Sequence, residues 1–253
     1  MHTVILSKKF KPKGNYDLVR LGKLNDSGYL VDKRDVNDAN ILISLGVCHA
    51  WSFEESFLKL NSVPIEAYDG TTGLFKLFKM TINALITFQR QLFFQSLIAF
   101  FGYSRFFSGS TKHHEVMVGF DKSPTFTSLD SIFKSVVKTN QKVFLKIDIE
   151  GWEYRLLDDI MKHSKNICGL AIEFHELDIH IEKVEQFISD FPLEIAHVHC
   201  NNYALTTPEE LPLVIEATFS SQSLLNNSEV VFPNPLDSSN DKYKEDYKID
   251  FRD

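Results

Sequence analysis

The sequence predicts an α/β protein built on a mostly parallel sheet, and three observations carry that expectation. Apolar β-type runs alternate with helical stripes from residue 40 to residue 199, the order that yields parallel strands covered on both faces. Three of the runs end alike: Lys146-Ile147-Asp148-Ile149-Glu150-Gly151, Glu173-Phe174-His175 and His197-Val198-His199-Cys200-Asn201-Asn202 carry hydrophilic side chains at every second position. Side chains two apart on a strand share one side of the sheet, so each run aims a column of carboxylate, imidazole or amide groups one way. The length of 253 residues and a hydrophobic fraction of 43% supply one large core, which makes 1–253 a single domain.

The elements follow in order. Residues 40–45 form a strand, Gly46 a turn, and 52–60 a helix in which Phe53, Phe57 and Leu60 recur at helical spacing. A second strand over 64–68 ends at Asp69-Gly70, and a third over 115–120 ends near Asp121. Ser128 or Asp130 caps the next helix, whose apolar stripe is Leu129, Ile132, Phe133, Val136 and Val137. Residues 143–149 read as a buried fourth strand, followed by a helix through Trp152, Leu156, Leu157, Ile160 and Met161. A fifth strand covers 167–173, a helix runs through Ile181, Val184, Phe187 and Ile188, and a sixth strand covers 193–199. Residues 213–219 and 229–232, joined through Asn226-Asn227, read as an antiparallel pair closing the sheet edge. The polar C-terminal segment 233–253 reads as an extended or partly ordered tail.

One stretch breaks the rhythm. Residues 74–107 exceed what a crossover helix needs and hold Phe75, Phe78, Phe88, Phe93, Phe94, Phe100, Phe101, Phe106 and Phe107. They predict a helical Phe-rich insertion over 71–112: a hairpin packed on the domain or on a second subunit, a lid, or a surface resting on lipid beside Lys76, Lys79, Arg90 and Arg105. Its longest uncharged run, 91–104, is shorter than the roughly 20 residues of a transmembrane helix. No span is expected, while a peripheral membrane contact and a homo-oligomer stay open.

Lys and Arg total 27 against 34 acidic residues, without a basic stripe, so a nucleic-acid partner is not expected. Cys48, Cys168 and Cys200 are odd in number and lack zinc or disulfide spacing, and Lys8-Lys9-Phe10-Lys11 is followed by no apolar signal core. A cytoplasmic protein with reduced thiols is the simple reading.

The glycine turn after the first strand is where a nucleotide can approach backbone, and an acid at the end of the next strand can accept from ribose hydroxyls. Gly46 and Asp69 occupy those positions, although each also suits an ordinary turn. Lys146, if buried, needs a counter-charge, and Asp148 is the nearest candidate. His197 reads as a core histidine, His113-His114 as a solvated loop pair, and Asn201-Asn202 as turn residues or sugar ligands.

Ser44-Leu45-Gly46 with Ser52-Phe53-Glu54, then Tyr68-Asp69, Ser128-Leu129-Asp130, Lys146 to Glu153, Glu173-Phe174-His175 and His197 to Asn202, in that order, resemble the FkbM-type S-adenosylmethionine-dependent methyltransferases. The resemblance covers roughly residues 26–219, and Asn25-Asp26-Ser27-Gly28-Tyr29 is similar to the opening Asp-Gly-Gly-Tyr segment of related proteins. The Lys-x-Asp-x-Glu-Gly element is its most specific part. It implies a Rossmann-like class I methyltransferase fold, a mostly parallel seven-stranded sheet with an antiparallel last strand. It also implies S-adenosylmethionine-dependent methyl transfer to a hydroxyl, often of a sugar such as a nucleotide sugar or surface glycan. Ser44, Gly46, Asp69 and Asp148 then match the cofactor site, and the chain departs from the pattern at Cys48 and Ala50.

An acceptor hydroxyl must lose its proton as it attacks, and histidine suits that task near neutrality. His175 is the expected base, with Glu173 on the same side to orient it, His199 the competing base, and Asp148 the residue that positions the acceptor. A divalent metal on Asp148, Glu173, His175 and His199 is the other route to an activated hydroxyl. Two alternatives accompany this expectation: a catalytically silent nucleoside- or glycan-binding domain, and a metal-dependent hydrolase using the same column of side chains.

Overall fold

The computed structural model describes residues 2–25, 27–48, 50–120 and 123–253. Expectations that touch Asp26, His49 and Asp121 lie outside the described residues. In chain order the elements are β1 (Thr3–Ser7), β2 (Leu18–Leu21), β3 (Tyr29–Asp32), α1 (Lys33–Asp38), β4 (Ile41–Leu45), α2 (Ser52–Leu60) and β5 (Ile65–Tyr68). Next come α3 (Leu74–Ile86), α4 (Arg90–Phe106), β6 (Thr111–His114), β7 (Met117–Val118), β8 (Phe126–Thr127), α5 (Leu129–Val136) and β9 (Val143–Ile147). The chain closes with α6 (Leu157–His163), β10 (Ile167–Phe174), α7 (Leu177–Asp190), β11 (Glu194–Cys200), β12 (Ile215–Ser220) and β13 (Lys248–Arg252).

The central sheet has seven strands in the order β11-β12-β10-β9-β4-β5-β6. Pairings from β10 through β9, β4 and β5 to β6 are parallel, whereas β12 runs antiparallel between β10 and β11. This is the class I methyltransferase arrangement expected above, with its last sheet strand antiparallel. Strand order reverses beside β4, and the carboxyl ends of β4, β5, β9 and β10 border the crevice where such sheets bind ligands.

Alternation along the strands builds a core on each face. Ile41, Ile43 and Leu45 of β4 and Val143, Leu145 and Ile147 of β9 pack with α5, α6 and α7. Leu42 and Phe144 face the other way, onto Phe53 and Phe57 of α2 and Val36 of α1. Ser128 caps α5, its hydroxyl accepting from the Ser131 amide at 3.2 Å. Among the described residues no helix is long and apolar enough to cross a membrane.

Three expectations give way. The third strand is β6, not 115–120, and among the described residues Met117–Val118 pairs with Phe126–Thr127, outside the central sheet. β6 is an edge strand, which carries polar residues readily. His113 and His114 lie on it rather than in a solvated loop: His113 Nδ1 meets the Tyr103 hydroxyl at 2.6 Å and His114 Nε2 meets Glu66 at 2.7 Å. Residues 229–232 form no strand; β12 finds both partners inside the sheet.

The C-terminal segment is packed, not extended. β13 pairs in parallel with β1, and the segment's polar side chains satisfy buried groups of the last two sheet strands. Asp237 holds His197 at 2.9 Å, Asp246 holds His199 at 3.0 Å, and Asn240 donates to Glu216 at 2.7 Å. Its polarity marks partners rather than a solvated chain, because buried imidazoles require acceptors. Asp246→Ala is expected to lower unfolding free energy by about 2–3 kcal/mol, since His199 loses a buried, hydrogen-bonded counter-charge and keeps Glu216 as its hydrogen-bonding carboxylate. Urea denaturation checks this against Asp250→Ala, which removes only an exposed pair with Arg252 and should cost less than about 1 kcal/mol.

Candidate active site

Gly46 turns the chain after β4 with φ +76°, and a Cβ there would collide with the Asp148 carbonyl at the tip of β9. Both the left-handed backbone and the close approach demand glycine. The Gly46 carbonyl accepts from the Lys146 ammonium at 2.5 Å, and the same ammonium reaches Asp148 Oδ2 at 3.4 Å. Lys146 is buried, which opposes its charge, yet Asp148, Glu54 and Glu173 more than compensate and hold its pKa above the ordinary lysine value.

Asp69, at the end of β5, grips the following loops. Its Oδ2 accepts from the amides of Val47 at 3.1 Å and Cys48 at 2.6 Å, and its Oδ1 from the Thr71 amide at 2.6 Å and hydroxyl at 2.5 Å. Burial alone would raise its pKa, but the Thr71 and Cys48 hydrogen bonds prevail and lower it. The carboxylate thus staples the glycine turn to the β5 end.

At the ends of β9 and β10 the side chains form a linked group. The Tyr29 hydroxyl lies 3.1 Å from Asp148 Oδ2 and 3.1 Å from Glu173 Oε2. One phenolic proton cannot be donated to both carboxylates at once, which favours a proton on one of them. Glu173 is the one pushed that way: burial, then the charges of Asp148 and Glu216, raise its pKa. Its other oxygen accepts from the Asn201 amide at 2.8 Å.

His175 is oriented by Glu153, not by Glu173. Glu150 and Gly151 adopt φ +55° and +93°, which folds the chain back and buries Glu153 beneath the imidazole. Glu153 Oε1 accepts from the amides of Ile149 and Gly151, both at 3.2 Å, and meets His175 Nδ1 at 2.9 Å. Since that oxygen is an acceptor throughout, Nδ1 carries the proton. Burial opposes a second proton, but the Glu153 hydrogen bond and the charges of Glu173 and Asp148 outweigh it and raise the His175 pKa to about 9.

One cavity of about 810 Å³ joins these parts: Gly46, Asp69, Tyr29, Asp148, Glu173, His175 and Asn201 all line it. Ligand atoms of Asp148, Glu173 and His175 lie within 4.8 Å of one another. Two expected site residues are elsewhere. Ser44 is fully buried, its hydroxyl donating to Glu54 at 2.5 Å, and it does not line the cavity. His199 is enclosed by Glu216 and Asp246 behind β12 and joins neither the cavity nor the metal-capable group. Conversely, Tyr29, Glu54 and Glu153 received no role from the sequence. Glu153 had a usable signal, an acid two residues past a glycine turn, but its reach to His175 depends on the positive φ pair.

Residues 88–197 match the family model described as the methyltransferase FkbM domain, the family that the motifs resemble. The matched span contains Lys146, Asp148, Glu153, Glu173 and His175 and excludes Gly46 and Asp69. Among solved structures, the chain is similar to precorrin-6y C5,15-methyltransferase from Geobacter metallireducens GS-15, at 11% identity and TM-score 0.39, covering 74% of this chain and 84% of that one. It is also similar to an rRNA methylase from Streptococcus thermophilus, at 11% identity and TM-score 0.39, covering 75% and 92% respectively. A human methyltransferase 10 domain containing protein aligns at 12% identity and TM-score 0.39 over 73% of each chain. No curated protein matches the chain in sequence.

Gly46→Ala should lower unfolding free energy by about 2 kcal/mol or more, from strain plus the collision at Asp148, measurable by urea denaturation. A raised histidine pKa stabilises the fold fully below the unfolded value of 6.5, and that contribution is lost as pH rises through about 9. Denaturation across that window should show a His175-dependent fall in stability of at most about 3 kcal/mol, absent in His175→Gln.

Proposed function

We propose that the chain is an S-adenosylmethionine-dependent O-methyltransferase acting on a sugar hydroxyl, of a nucleotide sugar or of a surface glycan. The observation that carries this reading is the continuity of one cavity from the glycine turn and Asp69 to the Asp148, Glu173 and His175 group. Methyl transfer requires donor and acceptor side by side, and such alignment is its main source of rate. A volume of about 810 Å³ suits a nucleoside-sized ligand, and Met117, Val118 and Trp152 add apolar surface to the cavity that Asp69 lines. Bound there, S-adenosylmethionine supplies a methyl group on a sulfonium centre.

Gly46 and Asp69 hold the nucleoside in this reading, with Asp69 Oδ2 releasing the Val47 and Cys48 amides to receive ribose hydroxyls. Asp148, Glu173 and Asn201 present carboxyl and amide groups to a polyhydroxylated acceptor. His175 Nε2 takes the acceptor proton while Glu153 steadies Nδ1 and stabilises the resulting imidazolium. The base form must first be neutral, so its population grows as pH climbs toward about 9.

A divalent cation on Asp148, Glu173 and His175 is a second reading, favoured by the closeness of their ligand atoms. Mixed oxygen and nitrogen donors suit manganese, iron or zinc better than magnesium. The charge balance favours the metal-free form: Lys146 offsets Asp148, Glu153 offsets protonated His175, and Glu173 is held toward neutrality.

A screen of nucleotide sugars and glycans for S-adenosylhomocysteine release, with and without chelator, tests both readings. Turnover indifferent to chelator and rising with pH toward about 9 is expected, and abolition by chelator selects the metal reading. His175→Ala should lower turnover by about 10²-fold while leaving S-adenosylmethionine affinity by calorimetry unchanged. Absence of calorimetric binding in the unaltered protein would leave the silent binding domain, which the departures at Cys48 and Ala50 favour.

A further inference from the structure

Helices α3 and α4 pack on each other through an inner face that includes Leu77, Thr81, Ala84, Ser96 and Tyr103. Trp51 fastens the base of the pair, stacked on Phe106 at 6.3 Å and edge-on to Tyr103 at 6.0 Å. The outer faces are apolar as well. Phe75, Phe78, Ile82 and Leu85 recur at helical spacing along α3, and Phe94, Ile98 and Phe101 along α4, all exposed. At the tip, Ile86 is 67% and Phe88 91% exposed.

The charge on this hairpin is one-sided. From Gly70 to His114 there is no Asp or Glu, in a chain whose net charge is −7. Lys76 and Lys112 pair with Glu115 and Glu66, but among the described residues Lys79, Arg90 and Arg105 are exposed cations without an ion pair. Arg90 adjoins the tip.

From this combination we infer that the α3–α4 hairpin seats on an anionic lipid surface, its tip and outer stripes entering the interface and Lys79, Arg90 and Arg105 meeting headgroup phosphates. Exposed aromatic and aliphatic rows flanked only by cations are complementary to such a surface in both polarity and charge. A second copy of the chain fits poorly, because an isologous contact would oppose cations with cations and offer no acid to either. Neither helix crosses a bilayer: 13 and 17 residues span about 20 and 26 Å, short of a hydrocarbon core of about 30 Å. The hairpin lies on or dips into one leaflet. The inference is independent of the methyl-transfer reading.

Sedimentation of the full chain with vesicles tests it. Phosphatidylcholine vesicles containing phosphatidylglycerol should capture the protein about 10-fold better than phosphatidylcholine alone, with binding weakened by salt. Lys79→Glu with Arg90→Glu should reduce capture about 10-fold or more, and Phe88→Ser with Ile98→Ser by a similar factor. Lys165→Glu, an exposed cation on another face, should leave it unchanged. Circular dichroism confirms that each variant is folded. Unaltered protein remaining in the supernatant with anionic vesicles overturns the inference, as does equal capture of the Lys79→Glu, Arg90→Glu variant. A dimer by light scattering that Phe88→Ser with Ile98→Ser dissociates also overturns it, by assigning the face to a second copy.

Discussion

The buried ammonium of Lys146 is the constraint around which the strand ends are arranged. It ties the Gly46 carbonyl of one strand end to the Asp148 carboxylate of the next, and it lies 5.7 Å from the centre of the Tyr29 ring. An isolated cation in this position would be untenable, and so would the carboxyls of Asp148, Glu54 and Glu173 without it. Glu54 illustrates the dependence: burial raises its pKa, and Lys146 is the largest opposing influence. Acidic groups accumulate at the carboxyl ends of β9 and β10 because one charge behind them makes that density sustainable.

The remaining imbalance is resolved by protons. Tyr29 sits between Asp148 and Glu173 at 3.1 Å from each, a geometry that favours a neutral Glu173. His175 has its own counter-ion in Glu153, which two backbone amides fix from below. The pairings are separate: Lys146 with Asp148, His175 with Glu153. A change to one pair alters the other directly, because the Asp148 charge raises the His175 pKa, and also through the shared neighbour Glu173, whose pKa responds to both Asp148 and His175.

Much of this arrangement was legible in the sequence, for a definite reason. Strand period fixes which side chains share a side, and parallel topology fixes which ends meet, so the sequence alone assigns Gly46, Asp69, Asp148, Glu173 and His175 to one crevice, and all five line the cavity. The same rule misjudged Glu173 as the partner of His175, because sharing a side of a strand does not bring two side chains into contact, whereas the Glu150-Gly151 turn does bring Glu153 there. It also admitted His199, since period 2 cannot reveal that β12 would insert between β10 and β11 and enclose the imidazole with Glu216. Polarity misled at the C-terminal segment for a related reason. A polar chain reads as solvated until the buried histidines that need Asp237 and Asp246 are known to lie opposite.

The loop between β4 and α2 belongs to two structures at once. At one end Asp69 holds the Val47 and Cys48 amides, and at the other Trp51 begins α2 while anchoring the base of the α3–α4 hairpin. Asp69 also fixes Thr71, and α3 starts three residues later at Leu74. The carboxylate is therefore bonded to both chain segments that connect the cavity to the hairpin. A ligand that hydrogen-bonds to its oxygens shares an acceptor with both of those segments. Packing differs along the hairpin: Leu77 and Tyr103 are buried against Trp51 at its base, while Phe75, Ile82, Leu85, Phe94, Ile98 and Phe101 of the outer rows stay exposed.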